Sequence, residues 1–340
     1  MSDPVDLKVV HINKSETINN ILNKEKIYDI LSQTNHEALV PHYKFQQVWV
    51  NQTYSTFKDF DTYLILMYLK NKIFIDYSDR FHLMSMDAFY SQEKIAIDKI
   101  NIIQISKSLN IPKETIRRKI NYLQKNDIIF RSGKTIYLNS KALEIVKPKR
   151  SIPLLSIFFE KISNILSKEN WFGKPLERES LKEFIENHYT VCWEYFYRFQ
   201  IPYLTRHRKC FGDLESWNIW GSIALTQTAA FNEEYQKVIR DELASYEDYI
   251  FAVIKYKPKR GINASSISDI SSIPRATVIR KLKRMEKIGF IKRNQKLEYT
   301  LGLYKNLATF RQNYLINQRA LSDFCTTMFN LTKNSKFKII

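Results

Sequence analysis

Glycine is scarce in this chain, with seven in 340 residues. A loop that cradles phosphate needs clustered glycines, and neither a G-x-G-x-x-G nor a Walker pattern is present. Cysteine is scarcer still. Cys192, Cys210 and Cys325 are odd in number and have no paired spacing, which excludes a disulfide framework and points to reduced thiols in a cytoplasmic protein. The histidines His11, His36, His42, His82, His188 and His207 form no metal-spaced cluster with cysteine. Paired carboxylates such as Glu233 and Glu234 read as a solvated helix face. No run reaches the roughly 18 apolar residues of a membrane helix; the longest, TYLILMYLKNKIF, is interrupted by Lys70 and Lys72. The opening MSDPVDLKVVHINKSET holds no apolar core of signal-peptide length. The expectation is a protein without an active site, bound metal, small-molecule cofactor or membrane partner.

Acid is also in deficit. There are 53 Lys and Arg against 35 Asp and Glu, a formal net charge of +18, which favours a polyanionic partner. The chain is 44% hydrophobic and 26% charged, a globular composition with enough length for two or three cores.

What the chain has in place of motif chemistry is a repeated phrase. IPKETIRRK at Ile111 recurs as IPRATVIRK at Ile273. In the first copy IQISKSL predicts a short helix with Ile105 and Leu109 on one face. Pro112 suits the first position of a second helix because no donor is needed there. That helix buries Ile116, Ile120 and Leu123 and exposes Lys113, Thr115, Arg117, Arg118, Asn121 and Tyr122. IIFRSGKTIYL then predicts a hairpin. A constant shift of 162 carries this segment onto the second copy without a gap: Pro112 onto Pro274, Thr115 onto Thr277, Arg118 onto Arg280, Lys119 onto Lys281, Arg131 onto Arg293, Lys134 onto Lys296. Upstream, YKFQ at Tyr43 pairs with YRFQ at Tyr197, and FKDFDTYLI at Phe57 with FGDLESWNI at Phe211, both at a shift of 154; INNILNKE at Ile18 pairs with ISNILSKE at Ile162 at 144. The chain reads as two tandem copies, roughly 15–145 and 159–310. The division expected is a first unit over 1–146, a linker over 147–158 around KPKRSIP, and a second unit with a C-terminal helix over 159–340. Helix should dominate, with strands confined mainly to the hairpins. ESLKEFIENHYTVCWEYFYRFQ reads as one long helix, and the aromatics read as core.

Helix, tight turn, basic helix and basic hairpin, in that order, resemble the winged helix-turn-helix of the MarR, IclR and GntR families of transcription regulators. The resemblance implies a mainly α fold, duplicated in tandem, each unit ending in a short β-hairpin wing. It implies that the second helix of each pair enters the major groove of duplex DNA and that the wing meets the backbone. The base readers would be Thr115, Arg117, Arg118 and Asn121 in one copy and Arg275, Thr277, Arg280, Lys281 and Arg284 in the other. Lys113 and the wing residues Arg131, Lys134, Arg293 and Lys296 complete the expected interface. The expected protein is a nucleoid-associated regulator acting as a single-chain pseudo-dimer, with further pairing into a homodimer open. Plasmid and phage replication initiators are similar in carrying two winged helices on one chain. A non-catalytic scaffold or an architectural nucleoid protein is the third alternative.

Overall fold

The computed structural model describes residues 22–33, 36–97, 100–133, 135–170, 173–241, 246–302 and 307–334. Helices α1 (Lys24–Gln33) and α2 (His36–Phe57) lead into α3 (Phe60–Asp79). The α2–α3 corner turns at Lys58, in the left-handed region at φ 52°, and Asp59 then caps α3 by accepting the Thr62 amide at 2.9 Å. There follow α4 (Met86–Ser91), β1 (Lys94–Ile97), α5 (Ile102–Leu109), α6 (Lys113–Lys125), β2 (Ile129–Ser132), β3 (Thr135–Asn139) and α7 (Ser140–Leu143). The rest comprises α8 (Ser151–Lys168), α9 (Arg178–Asn187), α10 (Tyr189–Phe211), α11 (Leu214–Asp241), α12 (Tyr246–Lys255), β4 (Ile262–Asn263), α13 (Ala264–Ser271), α14 (Arg275–Lys287), β5 (Ile291–Arg293), β6 (Glu298–Leu301) and α15 (Leu307–Lys333). The described chain is mainly helical. Its two small antiparallel sheets have the orders β1-β3-β2 and β4-β6-β5.

The two helix pairs are built by the same local chemistry. Asn101 caps α5, its side chain accepting the Ile103 and Gln104 amides at 3.1 Å; Asn263 caps α13 through the Ser266 amide at 2.9 Å. Each first helix ends on a residue in the left-handed region, Asn110 at φ 52° and Ser272 at φ 59°. Asn is among the residues that tolerate this conformation best. Ser106 and Ser268 donate to the carbonyls of Ile111 and Ile273, each at 2.7 Å, tying the helix to the turn that follows. Pro112 and Pro274 then start α6 and α14. Ile116, Ile120 and Leu123 are buried beneath α6, and Val278, Leu282 and Met285 beneath α14. α3 packs under α6 and α11 under α14.

α2 and α10 lie at the centre. Gln46 and Gln200, 154 residues apart and both buried, exchange two side-chain hydrogen bonds of 2.8 and 2.6 Å. α10 packs on α3 and α2 on α11, so each half contributes a helix to the core of the other. The outer helices cross in the same way. α8 packs on α2 and α9, and α15 on α10 and α1. The expected aromatic core is present, with Trp193, Tyr189, Tyr197, Phe45, Phe74 and Phe196 among the largest side chains fully buried.

Three expectations are corrected. Residues 147–158 are exposed only at the turn Lys149–Arg150: Lys147 is buried against Asp87 at 2.8 Å, and α8 starts at Ser151 with Ser151, Ile152, Leu155 and Phe158 buried. The long helix expected over Glu179–Gln200 breaks at His188, whose backbone (φ −111°, ψ 37°) leaves the helical region and separates α9 from α10. β1 and β4 add a third strand to each hairpin. The segment at Ile18 used for alignment falls mostly outside the described residues. Among the described residues no helix is long and apolar enough to cross a membrane.

Candidate nucleic-acid interface

α6 and α14 each turn one apolar edge inward, and this leaves their basic edges in solvent. On α6, Lys113, Arg117, Arg118 and Asn121 are exposed and Thr115 is half-buried. Arg117 is engaged with Glu114 on its own surface at 2.8 Å, a pair open to water and easily exchanged for another anion. Arg131 is exposed on β2, opposite Ile136 of β3. Lys134 lies outside the described residues.

On α14, Arg275 and Arg280 are exposed and Thr277 is half-buried. Arg275 reaches back to the Ser265 hydroxyl at 3.0 Å, which fixes the start of α14 against α13. Arg293 extends from β5 toward Glu286 at 3.3 Å, and Lys296 is exposed at the hairpin tip.

Two expected readers are placed differently. Lys281 is turned inward, its side chain 14% exposed, and its ammonium sits 2.6 Å from Asp213. It is a clamp between α14 and the start of α11, not a free contact. Arg284 folds toward the same corner. It meets Asp213 at 3.2 Å and donates to the Phe211 carbonyl at 3.3 Å. Its guanidinium fills the space a side chain at position 212 would need, since a Cβ there would meet Arg284 Nη2 at 2.1 Å. A larger residue would displace this flexible guanidinium, and the φ of 83° at Gly212 favours glycine in its own right.

The clamp has a counterpart. Lys119 of α6 sits 2.7 Å from Asp59, which caps α3 just as Asp213 caps α11 through the Ser216 amide at 2.7 Å. Burial pushes both carboxyls up, but bonds from the lysine and the capped hydroxyl residue outweigh it and hold both below the usual carboxylate range. These two acids orient the exposed helices, and their role is invisible in a linear reading. The signal was nonetheless present, because Asp59 and Asp213 align in FKDFDTYLI and FGDLESWNI.

The turns of the helix pairs are held from the opposite half. Arg208 of α10 donates to the Asn110 carbonyl at 2.9 Å while bidentate on Asp61 at 2.9 and 3.1 Å. Asn51 of α2 likewise donates to the Ile270 carbonyl at 2.5 Å; Asn218 of α11, in the same half, adds a bond to the Ser271 carbonyl at 3.3 Å. Each pair is thereby fixed to the central helices, so the two basic faces have a set orientation. No family model, no curated protein and no solved structure matches the chain.

Proposed function

We propose that the protein binds double-stranded DNA sequence-specifically and acts as a transcription regulator, built as a single-chain pseudo-dimer of two winged helices. The observation that carries this reading is the pair α6 and α14. Each is thirteen residues long, each starts at a proline after a left-handed turn, and each exposes arginine and lysine where its partner helix leaves it uncovered. A helix presented this way fits the major groove, with a hairpin following it onto the backbone. The bounds of α5 and α13, and of α6 and α14, differ by 162 residues; those of α1 and α9 differ by 154. This supports a tandem duplication whose units run from α1 to α8 and from α9 to α15, in place of the expected 15–145 and 159–310, with α1 paired to α9 and not, through the 144 shift, to the end of α8. The reciprocal Gln46–Gln200 bonds mark where the local two-fold would pass.

Phosphate contacts from the basic faces supply affinity. Exposed Arg117, Arg118, Asn121, Arg275 and Arg280 supply base readout, with arginine suited to the guanine edge. Selecting bound sequences from a random duplex pool tests the reading. A defined consensus supports it, sequence-independent retention would favour an architectural role, and no retention would sink it.

A further inference from the structure

A cavity of about 160 Å³ lies where α2, α10, α11, α12 and α15 meet, away from the basic faces of α6 and α14. Its origin can be read from two helices. Along α3, Met67, Lys70 and Phe74 are all buried and fill the core. The residues 154 positions later on α11 are Gly221, Ala224 and Thr228, and all three line the cavity. A Cβ built at Gly221 would meet nothing within 4 Å. The hollow is thus the volume that α3 fills with side chains and α11 leaves empty.

The wall is aromatic, with Tyr203, Trp217, Trp220, Tyr249 and Phe310, and among the described residues it holds no Asp, Glu, Lys or Arg. His42 and His207 are both pushed down to about 3 by burial, so the wall is neutral. In the other half the corresponding space is taken by the Lys70 side chain, whose nitrogen donates to the Tyr90 hydroxyl at 3.0 Å amid Phe74, Phe89 and Tyr197. That half supplies an N–H donor within an aromatic cage from the chain itself.

We infer that this cavity is a binding site for one uncharged, flat aromatic molecule of about one ring. The size suits it, because an apolar cavity near 150 Å³ admits benzene. The aromatic wall stacks on the ring, and a charged group finds no ion partner in the described wall. α3 fills the counterpart of this space with its own side chains.

Titration calorimetry with phenol and with aniline, using the intact chain, tests the proposal. One saturable site per chain is expected for both. Benzoate, equal in size but charged, should not bind. Gly221→Met, which copies Met67 of α3, should abolish binding. The indole N–H resonances of Trp217 and Trp220 should shift on phenol addition, a readout that needs no variant. No saturable heat at millimolar phenol overturns the proposal, and so does undiminished binding to a folded Gly221→Met variant. DNA binding is not part of these measurements, so their failure leaves the proposed function untouched.

Discussion

The helix pairs α5–α6 and α13–α14 share lengths, caps, turn conformation and buried positions, yet their exposed faces differ. Arg117 stands where Ile279 stands, Glu114 where Ala276 stands, Asn121 where Lys283 stands and Tyr122 where Arg284 stands. What is held constant is what orients a helix; what varies is what a partner would touch. Even the clamps differ in load. Asp59 receives Lys119 alone, whereas Asp213 receives both Lys281 and Arg284. Two helices constrained alike but faced differently should read different partners, and this comparison can be broken in several places.

The largest effect should come from stripping one basic face at a time. Replacing Lys113 and Arg131 by alanine, or Lys283 and Lys296, should each lower the slope of log affinity against log salt by about 1.8, as expected for two phosphates lost. If either double variant keeps the wild-type slope, that half is not on the DNA. Finer discrimination comes from single changes. Arg118→Ala should relax preference in one half-site and Arg280→Ala in the other, each costing about 1–3 kcal/mol if the contact is bidentate. The selected consensus should be asymmetric, and effects of both variants on the same base pairs would refute the assignment.

The clamps can be compared by stability. Asp213→Ala leaves two cations without their carboxylate and should cost about 2 kcal/mol in urea unfolding; Asp59→Ala, which frees one, should cost about 1 kcal/mol. Reversal of that order would mean that Arg284 contributes nothing. Both carboxyls are depressed in the folded state, so their contribution is present above the unfolded value near 3.9 and is lost as pH falls through the native values. Thermal scans on descending from pH 5 should show a loss of stability that flattens in the Asp59→Asn, Asp213→Asn double variant. The smallest net effect is expected from a paired change at the centre. Gln46→Leu alone strands a buried amide and should cost about 1–3 kcal/mol, but adding Gln200→Leu should recover most of it, so that the double variant is nearly neutral.

Much of this was legible without coordinates because it is local. The four- and three-residue spacing of Ile116, Ile120 and Leu123, and a proline after a polar turn, specify a helix pair wherever they occur. The rest depends on contacts between distant residues. KPKRSIP looked like a joint because proline and charge are common there. In the fold, however, Pro153 occupies the first turn of α8, where a missing donor costs nothing, and Lys147 finds Asp87 sixty residues away. KIAI is too short for its alternation to declare β1 before β3 is in place. Lys281 has the composition of a reader and the position of a clamp, and only Asp213 distinguishes the two.

The exchange of outer helices has a consequence for how the chain is made. α1 buries Ile27, Ile30 and Leu31 and lies against α15; Asn330 of that helix bonds the amide and carbonyl of Leu22 at 2.9 and 3.3 Å, across 308 residues. At ribosomal rates of about 5–20 residues per second, α1 emerges roughly 15–60 s before its partner. Throughout that interval its apolar face has no native cover, and closing so long a loop is among the slower steps a chain can take. A helix made about 300 residues later is therefore the one that completes α1, and nascent chains waiting for it are exposed to chaperones and to one another.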